Sequence, residues 1–302
     1  MNRRPRSAVA AVATLLLVSC SRTGAETVTL EVEVLARAVA PGEPVRVVVS
    51  SPEPLQSLGG TFLGQDIAML RIEPRAQGAD ARERWSGWTM VTLEHEAGPA
   101  VVEVEGATPD GRRASGQLAA AVVSKSFPTE ELSVASEYVT PPPEVEERLA
   151  RERVKLAAIY AARSPYPAPV EPFVRPVPGE PTSVFGTRRL YNGEPRSPHP
   201  GLDLRAATGD PVVAAGAGTV VLAEELYYSG NVVIVDHGGG LFTLYGHLSA
   251  IAVEEGQRVA RGEKVGAAGA TGRVTGPHLH WGAKIGNEPF DPLALVDEVL
   301  FP

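Results

Sequence analysis

Asn231-Val232-Val233-Ile234-Val235-Asp236-His237-Gly238-Gly239-Gly240-Leu241-Phe242-Thr243-Leu244-Tyr245 is two short apolar runs joined by a histidine and three glycines. The glycines suit a tight turn, so the stretch predicts two strands rather than one helix. Working outward, Val212–Ala215, Gly218–Ala223 and Lys264–Gly266 repeat the habit, with Ala215-Gly216-Ala217-Gly218 and Gly272 between them. No Gly-rich loop leads into a helix, so no nucleotide site is evident. The region from 182 on reads as a compact, mostly antiparallel β-fold with little helix.

Two segments flanking this hairpin carry three of the chain's six histidines. They are Pro198-His199-Pro200-Gly201-Leu202-Asp203 and Pro277-His278-Leu279-His280-Trp281; a fourth histidine, His247, follows Tyr245-Gly246. Alternate residues of a strand share a face, so His278 and His280 should look into one groove. His199 and Asp203 are four apart, and Pro200-Gly201 between them argues for loop or strand. Two imidazoles and one carboxylate suit zinc with one position open for water. The remaining imidazoles could take a proton from that water and stabilise an oxyanion or protonate a leaving amine. The spacing is not that of the helical His-Glu-x-x-His sites.

These motifs, with Phe185-Gly186-Thr187-Arg188, Gly209-Asp210-Pro211-Val212 and Gly269-Ala270-Thr271-Gly272, resemble those of the M23 (lysostaphin/LytM-type) zinc metallopeptidases over about residues 182–295. The resemblance implies an antiparallel β LytM-type peptidase domain holding one zinc ion. It implies His199, Asp203 and His280 as metal ligands, His278 as general base and His247 as the second catalytic histidine. It also implies hydrolysis of peptide bonds in peptidoglycan. Some relatives of this kind have lost ligands and only activate an amidase or divisome partner; all five positions are intact here, which favours an active enzyme.

The other residues divide into core and rim. His237, before its three glycines, is expected as a structural turn residue. Tyr245 and Trp281 read equally as groove lining or core, and Arg188 or Arg189 as a contact for a substrate carboxylate. Asp291-Pro292 is expected to end the last strand.

The N-terminus addresses location. Arg3, Arg4 and Arg6 precede an apolar stretch, Ala8 to Val18, too short for a comfortable membrane span. It ends in Leu17-Val18-Ser19-Cys20, which resembles a bacterial lipobox, and Cys20 is the chain's single cysteine. Lipidation of Cys20 after cleavage of a 1–20 signal peptide is the expectation. Ser21 resembles the residue that sends Gram-negative lipoproteins to the outer membrane, facing the periplasm.

Between leader and peptidase, residues 27–125 alternate in the strand period with turn signals such as Pro41-Gly42 and Pro109-Asp110-Gly111, predicting an immunoglobulin-like β-sandwich. Trp85 and Trp88 are read as core. His95, between two glutamates, is read as an exposed loop residue. Residues 126–181 form a connector, with a helix over 144–163 and then a proline-rich strap expected to run extended and, as one hypothesis, to cover the zinc cleft. The formal net charge of −8 argues against nucleic-acid binding. Peptidoglycan, a lipid anchor and an unidentified regulatory protein are the expected partners.

Overall fold

The computed structural model describes residues 27–73, 82–133, 141–162, 164 and 169–301. Cys20 and the lipobox reading lie outside these residues.

The N-terminal part is two packed sheets. One orders β1 (Val28–Thr29), β9 (Arg113–Val122), β8 (Gly98–Ala107), β4 (Ser57–Phe62) and β5 (Gln65–Ala68); the other orders β2 (Glu31–Leu35), β3 (Pro44–Ser51), β7 (Glu83–Met90) and β6 (Leu70–Ile72). Val45, Val47 and Val49 of β3 meet Phe62, Ile67, Val102 and Val104 from the facing sheet, as strand alternation requires. The other face of β3 and β7 is also buried, because it carries the C-terminal domain. Trp85 joins the sandwich core, whereas Trp88 and Met90 join the C-terminal core. At that junction Arg46 is buried; it donates to Ser86 Oγ (2.7 Å) and to the Leu300 carbonyl (2.9 Å), and its guanidinium lies over the Trp88 and Phe301 rings. Burial, and after it the nearby Arg84, lowers the Arg46 pKa to about 10. Arg37 adds a bridge across the junction to Asp291 (2.7 Å), the residue that caps the following 3-10 turn at Leu293 N. His95 is half-buried in a turn closed by its N–H to Thr92 O.

The connector is built into the C-terminal domain. Its first strand, β10 (Thr129–Leu132), pairs in parallel with β12 (Arg188–Tyr191), which hairpins with β13 (Glu194–Arg196). Helix α1 (Pro143–Ala161) starts on Pro142-Pro143 and lays Leu156, Ile159 and Tyr160 over Leu222, Leu226, Val232, Ile234 and Phe242. The described part of the strap does not line the cleft. Phe173 and Val177 are buried in the C-terminal core, and Phe173 and Val174 donate their N–H groups to Leu295 O and Ala215 O. Two apolar side chains among the prolines thus draw the strap onto the core, in place of the free spacer that proline content alone predicts.

The C-terminal sheet has ten strands: β11 (Pro181–Ser183), β14 (Gly201–Leu204), β21 (Leu279–Ile285), β18 (Leu241–Ile251), β17 (Gly230–Asp236), β16 (Gly218–Leu226) and β19 (Arg258–Val259) in order, with β15 (Pro211–Val213), β20 (Lys264–Ala268) and β22 (Glu288–Phe290) paired off this path. The expected hairpin is the pair β17 and β18. Strand β18 changes partner along its length. Leu241–Gly246 pairs with β21, and Leu248–Ile251 pairs with β20. His247 sits at the changeover, opposite an irregularity in β17, with φ of 63°. A β-branched or bulky residue is costly there, and such bulges re-aim a side chain. The fork between β20 and β21 opens the groove that holds the site.

Candidate active site

Asp203 and His280 are directly opposed on adjacent strands β14 and β21. Cross-strand neighbours approach closely enough for side-chain contact, and Asp203 Oδ1 lies 2.8 Å from His280 Nδ1. Between them Gly201 is needed for space, because a Cβ there would stand 2.7 Å from His280 Cε1. His199 enters from the segment before β14 and is fully buried. Its Nδ1 lies 3.2 Å from the Val184 carbonyl, which can only accept, so Nδ1 carries the proton. Nε2 is left with its lone pair, 3.1 Å from Asp203 Oδ1 and 3.1 Å from His280 Nδ1.

Three donor atoms therefore converge within 2.8–3.1 Å of one another. Tetrahedral ligands at about 2.1 Å from a metal stand about 3.4 Å apart, close to this spacing. A cation among three such atoms would bind all of them, so the residues fit a metal ion, and His199, Asp203 and His280 form a group that could hold one. The carboxylate is fixed from behind: Arg189 Nη2 donates to Asp203 Oδ2 (2.9 Å) and to Ser183 Oγ (3.3 Å), and Ser183 donates to Glu130 of β10 (3.1 Å). Burial lowers the His199 pKa to about 4, against the pull of the neighbouring Asp203 carboxylate. Burial alone would raise Asp203, but its close contacts with His199 and His280 hold it well below the usual carboxylate range.

The other two histidines are oriented by one loop. His247 Nδ1 lies 2.9 Å from the Thr271 carbonyl, and His278 Nδ1 lies 2.9 Å from the Gly276 carbonyl. Each Nδ1 therefore keeps its proton and each Nε2 keeps a lone pair. The two rings are 4.9 Å apart, and His278 Nε2 is 3.6 Å from Asp203 Oδ1. Burial, then the neighbouring His280 and His278, lowers the His247 pKa to about 3, so His247 rests neutral. The groove, about 320 Å³, brings His247, His278, His280 and Asp203 to one wall system. It is electrostatically mixed and open at one side, as a peptide site requires.

The comparisons with known proteins enter on this geometry. The model of "Peptidase family M23" matches residues 197–292. The C-terminal domain belongs to peptidase family M23. The peptidoglycan DD-endopeptidase ShyA of Vibrio cholerae is 42% identical to it over 113 residues, covering 37% of this chain and 26% of that protein. The DD-carboxypeptidase/endopeptidase Mpg of Neisseria meningitidis is 42% identical over 97 residues, covering 32% of this chain and 22% of that protein. The chain thus aligns with about a quarter of the length of these relatives. A Pseudomonas aeruginosa crystal structure, described as a candidate peptidase M23, superposes with a TM-score of 0.61 at 27% identity, covering 85% of this chain and 94% of that one. Its match runs beyond the M23 domain into the N-terminal region.

Within the M23 domain, other expected site residues go elsewhere. Tyr245 and Trp281 are fully buried core residues, because they sit on the faces of β18 and β21 that point away from the groove. The Tyr245 hydroxyl accepts from Ala215 N (2.7 Å). Arg188 is exposed and does not line the groove, and Arg189 lines it but is committed to Asp203. His237 is buried in the turn, 2.8 Å from Ala217 O and 2.7 Å from Thr243 Oγ1. The sequence reading did not single out Leu132, Ser133, Tyr191 or Arg273, all of which line the groove. Only Arg273 had a signal, its place between Gly272 and the Gly276-Pro277-His278 motif.

Proposed function

We propose that this protein is a zinc-dependent endopeptidase that hydrolyses peptide bonds of peptidoglycan. The observation that carries the reading is the convergence of three ligand atoms beside two histidines whose Nε2 atoms are free to work. The names of the M23 relatives supply the substrate class. A borderline-soft site of two imidazoles and one carboxylate suits zinc.

Bound at His199, Asp203 and His280, zinc would supply Lewis acidity toward a carbonyl and lower the pKa of a water. The chain's own residues handle the protons. His278 and His247 both begin as acceptors at Nε2, since Thr271 and Gly276 hold their Nδ1 protons. They orient a water by accepting its hydrogens. His278 takes one proton as the water oxygen bonds to the amide carbon. His247, kept neutral by its burial, takes the second proton of the attacking oxygen as charge develops there, donates it back as a hydrogen bond to that oxygen, and releases it to solvent when the products part. The C–N bond breaks, the amine leaves with the proton returned by His278, and a carboxylate remains.

Mass spectrometry of cross-linked muropeptides digested by wild type and by His280→Ala tests this. Cleavage by wild type and none by a folded variant is expected. Absence of cleavage by zinc-loaded wild type would leave the second reading, an activator of an amidase or divisome partner. We further propose lipid attachment at Cys20 and a place on the periplasmic face of the outer membrane, supported by the lipobox-like sequence. Palmitate labelling lost in Cys20→Ala is the expected result, and unchanged labelling would refute it. The immunoglobulin-like character of the N-terminal sandwich is also a proposal, supported by its two-sheet layout.

A further inference from the structure

Two arginines line the groove, and their surroundings differ. The Arg189 charge is used: it donates to Asp203 and lies near Glu130, at the 4.0 Å limit of an ion pair. Arg273 has no carboxylate partner among the described residues. Its guanidinium is held between two aromatic rings instead, 4.3 Å from the Tyr228 centroid and 5.2 Å from that of Tyr191. Its backbone N–H is fixed to Tyr228 O (2.9 Å). Rings on two sides restrain the side chain without neutralising it, and an arginine so held keeps its donors for a planar oxyanion. The position is also specific. Arg273 lies on the segment between the Thr271 carbonyl that orients His247 and the Gly276 carbonyl that orients His278. It therefore lines the same groove as the two proton-handling histidines, on the loop whose carbonyls orient both.

We infer that Arg273 is a specificity residue that binds a free carboxylate on the amino acid supplying the scissile nitrogen. This deepens, and rests on, the endopeptidase reading above. A peptide whose leaving residue is a D-amino acid with an unblocked carboxyl presents that group one carbon from the amine, at the distance a neighbouring guanidinium spans. The loop thus positions the proton carriers and recognises the leaving group with the same few residues.

The test compares two synthetic cross-linked peptide dimers, identical except that the amino acid supplying the scissile nitrogen carries a free carboxylate in one and a carboxamide in the other, on the zinc-loaded full chain. Wild type should favour the carboxylate roughly 10- to 100-fold in kcat/KM, the range of a charge-assisted hydrogen-bond pair. In R273Q the ratio should collapse toward one, mainly through KM, and in R273K it should be partly restored. Calorimetric binding of both peptides is measured alongside, with circular dichroism to confirm folding. Cleavage without a carboxylate preference, or a preference that survives in R273Q, overturns the inference. If wild type cleaves neither peptide but binds the carboxylate form through Arg273, the endopeptidase reading fails while Arg273 stands as the carboxylate-binding residue of the groove. Failure to bind the carboxylate form overturns it outright.

Discussion

The M23 sheet buries histidine at two places, and the two have opposite chemistry. At the β17–β18 turn, His237 packs edge-on to Phe173 and meets the Ala217 carbonyl and the Thr243 hydroxyl, which lies 2.9 Å from the Tyr245 hydroxyl. Every ring nitrogen there has a neutral partner. At the β14–β21 pair, His199 and His280 turn their lone pairs toward Asp203 and toward each other. His199 is 0% exposed and His237 4%, so both places hold a buried histidine and burial does not mark the functional cluster. The mark is a set of acceptors facing acceptors, an arrangement that a structural core has no reason to keep.

The largest expected effect that sharpens this contrast is on the chemical step. His278→Ala or His247→Ala should lower kcat by roughly 10²- to 10⁴-fold with zinc still bound, as loss of a positioned acid–base group does. A variant that keeps wild-type kcat would return that histidine to the structural class. Next comes the support of the carboxylate. Arg189→Met should weaken zinc binding by roughly 10- to 100-fold, in the range found for groups that orient metal ligands, measured by competition with a chromogenic chelator. Unchanged affinity would reduce the Arg189–Asp203 bond to a surface pair.

The smallest effect is on stability and belongs to His237. Burial lowers its pKa to about 4 in the fold, against about 6.5 for an exposed histidine. The unfolded chain then binds a proton that the native state refuses. His237's contribution is therefore intact above about pH 6.5 and is lost as pH falls toward about 4, at about 1.4 kcal/mol per unit. Urea unfolding of zinc-loaded protein between pH 7 and pH 4.5 should be less pH-dependent in His237→Asn than in wild type. Equal slopes would contradict the neutral, satisfied state assigned to the ring.

Much of this was legible in the chain because the site is local in sequence and its strands obey their period. His278 and His280 share the groove through simple alternation, and the hairpin forms at its three glycines. Asp203 facing His280 needed the β14–β21 register, which sequence periodicity does not supply. The roles of Thr271 and Gly276 were hidden because they act through backbone carbonyls, which any residue would provide. Arg188 or Arg189 was read as a substrate contact; the bond of Arg189 to Asp203 was hidden, since a free arginine and one bonded to a buried aspartate look alike in sequence. Trp88 was rightly placed in a core, but β3 and β7 are covered on both faces, so its core is the peptidase's. The strap was read from its prolines; Phe173 and Val177 decided its course.

The most direct measurement is a zinc titration of the metal-stripped full chain against a competing chelator, with His280→Ala and His237→Asn run in parallel. One tightly bound equivalent in wild type and in His237→Asn, and none in folded His280→Ala, is the result these two histidine clusters predict. Tight stoichiometric zinc in His280→Ala, or none in wild type, would contradict the assignment of the converging lone pairs to a metal.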